Sequence, residues 1–82
     1  MSNSAGSRVS KRLEEVARQY EKAAAELEAA VRHLRTTARH FRDADVPRGC
    51  AHSWAAWGYV CTAERLLKTL AELHATRSQA DG

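Results

Sequence analysis

The segment Ala44-Asp45-Val46-Pro47-Arg48-Gly49 decides the fold, because it is the only strong break in a chain of 82 residues. Pro47 biases Val46 away from helical angles, whereas proline itself suits the first turn of a new helix. Asp45 is the polar residue best placed to cap that start. So short a connection forces the flanking helices to lie antiparallel and in contact. The sequence therefore predicts an all-α antiparallel two-helix hairpin, with helix one over about 8–43 and helix two over about 47–78.

Upstream of the break, apolar residues recur at Val9, Leu13, Val16, Tyr20, Ala23, Leu27, Ala30, Leu34, Ala38 and Phe41. Steps of three and four describe one face of a helix and no strand. Ser7 or Ser10 can cap its start, Glu14 and Glu15 favour its positive end, and Arg39 and Arg42 favour its negative one. Downstream, Ala56, Tyr59, Ala63, Leu66, Leu67, Leu70 and Leu73 share a face. The core is expected where these stripes meet, with Leu13, Tyr20, Leu27 and Leu34 alternating with the smaller Val16, Ala23 and Ala30. His52 and His74 fall on the inner face of helix two, at the core boundary, each with one nitrogen hydrogen-bonded. His74 is level with Val16 and Tyr20, within reach of the Tyr20 hydroxyl. Residues 1–7 read as a flexible tail, 8–78 as the hairpin domain and 79–82 as a frayed end.

This length lies near the lower limit for an independent core, and a hairpin buries only one stripe per helix. Association is the usual remedy, most simply a homodimer in a four-helix arrangement. The net charge of +3 demands no acidic partner. No apolar run approaches the ~20 residues that span a bilayer, so no membrane association is expected. Met1 to Ser7 carry no signal-peptide pattern, and two cysteines fit free thiols in a reducing compartment, which points to the cytoplasm. The preponderance of Arg over Lys and the many alanines suggest a GC-rich bacterial genome.

A second stripe on helix two does not fit a lone hairpin. Cys50, Trp54, Trp57 and Cys61 step by four, three and four, and at ~100° per residue they point ~165° away from the Leu70 face. An exposed patch with two tryptophans marks a contact surface, and tryptophan is a favoured interface anchor. The stripe is symmetric about a point between Ala55 and Ala56, so two antiparallel copies crossing there would set Trp54 against Trp57 and Cys50 against Cys61. Helix one is electrically lopsided. Acids crowd its first two thirds, whereas Arg32, Arg35, Arg39 and Arg42 form a basic ridge, with Arg48 just past the turn. Such a ridge can grip phosphates. The low net charge and the lack of a recognised nucleic-acid module favour instead a solvated face that complements the helix C-terminus and pairs with acids of a neighbouring subunit.

Other chemistry finds little support. Cys50 and His52 point in nearly opposite directions, Cys50 and Cys61 are ~16 Å apart along one helix, and His33 and His40 are two turns apart. No metal site is expected from such spacings, and no cofactor. A two-helix hairpin encloses no pocket in which a nucleophile, base and orienting group could converge, so no enzymatic activity is expected. Nor does the chain carry the Trp-x-Gly turn of small secreted helical hairpins: Trp57 and Gly58 are adjacent and lie inside helix two. The expected function is a non-enzymatic interaction or assembly module acting through Cys50, Trp54, Trp57 and Cys61. The alternative is nucleic-acid binding through the arginines.

Overall fold

The computed structural model describes residues 4–81, with side chains over 8–76. Two helices, α1 (Ser4–Arg42) and α2 (Val46–Asp81), pack against each other as an antiparallel hairpin, and no strand occurs among the described residues. The molecule is a flat rod of 64 × 28 × 12 Å. Helical backbone extends into both segments read as tails, beginning at Ser4 and reaching Asp81. Near the start of α1, Glu15 accepts hydrogen bonds from Gln19 and, at 2.9 Å, from Arg18. Together they hold its carboxyl below the usual carboxylate range.

The turn is built from two interlocking caps. Ala44 adopts φ 59°, the left-handed region. Its N–H donates to the Phe41 carbonyl at 3.0 Å, and the Asp45 N–H donates to the His40 carbonyl at 2.7 Å. These two bonds form a Schellman closure of α1. Asp45 then starts α2, as the sequence predicts: its carboxylate accepts the Arg48 N–H at 3.3 Å and its carbonyl accepts the Gly49 N–H at 3.0 Å. Gly49 is buried against Phe41, where an added Cβ would stand 2.6 Å from the ring. Glycine thus lets the aromatic ring close down over the base of α2.

The seam between the helices is made of small residues. Ala23, Ala29 and Ala30 of α1 are buried against Ala56, Ala63 and Leu70 of α2. Alanine on both sides lets the backbones approach closely. Hydrogen bonds pin the seam along its length: His33 Nδ1 to His52 Nδ1 at 2.9 Å towards the turn, and His74 Nε2 to the Tyr20 hydroxyl at 3.0 Å towards the open end. Of the expected inner face of α2, Ala56, Ala63 and Leu70 are buried and Leu66 is half-buried, whereas Tyr59, Leu67 and Leu73 remain exposed. The His74–Tyr20 contact is observed.

On α1 the packing is rotated from the expected face. Leu13, Leu27 and Leu34 stay exposed rather than filling the seam, Leu27 at 41% and Leu34 at 52%, and Tyr20, also exposed, reaches across it to His74. Half-buried Gln19, Glu26, His33 and His40 take the inward positions instead. The physical reason is that Ala23 and Ala30 belong to two overlapping seven-residue rows. Turning α1 so that its alanines meet those of α2 moves the bulky row to one flank and a polar row to the other. Thr37 lies on the polar side, its hydroxyl buried without a partner.

Candidate protein interface

The bulky row of α1 and the Trp stripe of α2 emerge on the same flank. In an antiparallel pair, positions rotated in the same sense from the seam lie on one side of both helices, and the local contacts agree. Near the turn, Phe41 of α1 shares an open groove of about 430 Å³ with Cys50, Ser53, Trp54 and Trp57 of α2. Midway along the rod, Leu27 of α1 shares a second groove, of about 500 Å³, with Val60, Ala63 and Leu67. Trp54 is 74% exposed and Trp57 59%. The hairpin therefore has one broad apolar side. Its other side carries Glu26, His33, Thr36, His40, Tyr59 and Thr62.

Each residue of the predicted stripe has a definite place on this side. Trp54 and Trp57 both line the Phe41 groove, and Trp54 is the more exposed of the two. Cys50 is exposed within the groove, Cys61 is half-buried, and both are free thiols. Helix geometry keeps the two cysteines ~16 Å apart along one axis. What the sequence reading missed is the contribution of α1. The ridge of Leu13, Tyr20, Leu27, Leu34 and Phe41 repeats every seven residues, and it continues the tryptophan surface instead of filling the core.

The arginines divide into two groups. Arg32 and Arg35 border a groove with Leu27, Glu28 and Val31, which places them on the edge of the apolar side. Arg39 donates to Thr36 Oγ1 at 3.1 Å, and Arg42 ends α1. Arg48 pairs with Asp45 at 3.6 Å and so belongs to the turn. Cations at the margin of an apolar surface have the anatomy of an interface rim.

On the polar side three histidines come together across the seam. His52 meets His33 through the Nδ1–Nδ1 bond and stacks on His40 with ring centroids 5.3 Å apart, while His33 stacks on Tyr59 at 5.5 Å. A bond between two ring nitrogens requires one to carry the proton and the other to be bare. Read along α1 alone, His33 and His40 are too distant to act together. It is His52, from the other helix, that joins them. The stacked rings do not converge on one point, and no set of three metal-ligating side chains is found among the described residues. None of the described helices is long and apolar enough to cross a membrane. Compared with protein-family models, curated proteins and solved structures, the chain matches none.

Proposed function

We propose that this protein is a small helical assembly module that associates with itself through its apolar side and works as an adaptor, scaffold or regulatory binding protein. The observation that carries this reading is the joint exposure of Trp54 and Trp57 beside Phe41, on a side that also leaves Leu27 and Leu34 uncovered. Monomeric soluble proteins seldom leave so continuous an apolar surface in water. Each tryptophan can bury ~150–250 Å² once covered. The hairpin alone hides few large side chains, because its seam is alanine, so covering this side supplies the burial that the monomer lacks. A homodimer of four helices is the simplest closed assembly. Two free thiols fit a reducing, cytoplasmic setting.

Sedimentation equilibrium of the purified chain tests the reading. The wild type is expected to sediment as a dimer. Trp57→Glu, which places a charge at the centre of the apolar side, is expected to yield helical monomers. A wild type that remains monomeric at the highest soluble concentration would remove self-association.

A further inference from the structure

Charge along α1 specifies how two copies meet, an inference that rests on the self-association just proposed. Glu14, Glu21, Glu28, Arg35 and Arg42 recur every seven residues, in a row beside the exposed ridge of Leu27, Leu34 and Phe41. The row is acidic at one end and basic at the other. Among the described residues the ion pairs are Arg18–Glu15 and Arg48–Asp45, so Glu21, Glu28, Arg35 and Arg42 have no ionic partner there. A row with this polarity complements itself when reversed. We infer that the partner on the apolar side is a second copy of this chain, related by a two-fold axis that passes α1 between Arg32 and His33, with the two α1 helices antiparallel.

That axis satisfies packing and charge together. It sets Glu28 beside Arg35 of the second copy and Glu21 beside Arg42 of the second copy, each pair occurring twice by symmetry. In the layers beneath, Val31 meets Leu34, Leu27 meets Ala38, and Phe41 meets Ala24 of the second copy. Large residues then face small ones, the condition for interdigitated helices. Across the hairpin the level is given by the His33–Tyr59 stack, so the same axis passes α2 near Tyr59 and brings Trp57 against Val60 of the second copy.

The axis suggested by the Trp and Cys spacing alone, between Ala55 and Ala56, shifts the pairing of α1 by one heptad. It would place Arg35 of the two copies side by side and leave Glu21 without a cation. Like charges at opposed positions destabilise an interface and select against a register. The axis beside His33 is favoured on that ground.

Reciprocal charge reversal separates the register from the association itself. Glu28→Arg and Arg35→Glu each replace two attractive pairs by two repulsive ones, and each is expected to weaken the dimer roughly tenfold at low salt. Glu28→Arg and Arg35→Glu combined in one chain restore opposite charges across the axis, so wild-type dimerisation returns. In the alternative register the combined variant sets the arginine introduced at position 28 against Arg42 of the second copy and stays weak. Sedimentation at low and high salt reads all four proteins, and circular dichroism checks that each is helical. A combined variant no tighter than the single ones would overturn the register while leaving self-association standing. A wild type that is monomeric throughout would overturn both.

Discussion

Ala44 holds the whole hairpin closed in a conformation that costs an L-residue roughly 1–2 kcal/mol. Its φ of 59° is required by the Schellman closure, whose bonds from Ala44 and Asp45 end α1 and begin α2 within one step. Glycine avoids that cost, partly offset by the greater freedom it gives the unfolded chain. Ala44→Gly is therefore expected to raise stability by about 0.5–1 kcal/mol, seen as a higher denaturation midpoint with unchanged slope. A lowered midpoint would mean that the turn differs from the one described. The need for a cap at Asp45 was legible in the sequence, since Pro47 follows two residues later. The left-handed Ala44 was not, because alanine carries no propensity for that region.

Within the helices, periodicity identified the type of element but not which row faces inward. Val16, Ala23 and Ala30 are common to the row ending at Phe41 and to the row containing His33 and His40, so hydrophobicity alone favoured the bulkier one. The contest was decided across the seam, where Ala56 and Ala63 accept alanine at close range and His52 gains a bond to His33. Inner positions of α2 were readable because Leu66 and Leu70 compete with no equivalent row, and the stripe of Trp54 and Trp57 was readable for the same reason. The histidine cluster needed the register between helices, which no single-helix spacing contains. These placements have unequal consequences for stability. Leu70 is 5% exposed, so Leu70→Ala should cost about 2–5 kcal/mol. Leu27 keeps 41% of its surface, and Leu27→Ala should cost the isolated hairpin only about 1 kcal/mol. Denaturant unfolding at low protein concentration compares the two. At concentrations where copies associate, the cost of Leu27→Ala should grow and that of Leu70→Ala should not. Equal costs at every concentration would place Leu27 in the monomer core after all.

The whole molecule is a two-sided rod, with an apolar side rimmed by charge and a polar side joined by imidazoles. Of its arginines, Arg32 and Arg35 line an edge shared with Leu27 and Val31, a placement that suits the rim of a protein contact. If the tryptophan side is covered by another copy of the chain, as proposed, tryptophan fluorescence across a dilution series measures that cover directly. Trp54 and Trp57 are the only tryptophans present, so emission excited selectively from indole reports on this surface alone. At high concentration the emission should lie towards the blue and resist quenching by iodide. On dilution it should move to the red and become quenchable as dimers separate, while helicity persists. Red, fully quenchable emission that does not change from the most dilute to the most concentrated sample would mean that no second copy covers this side.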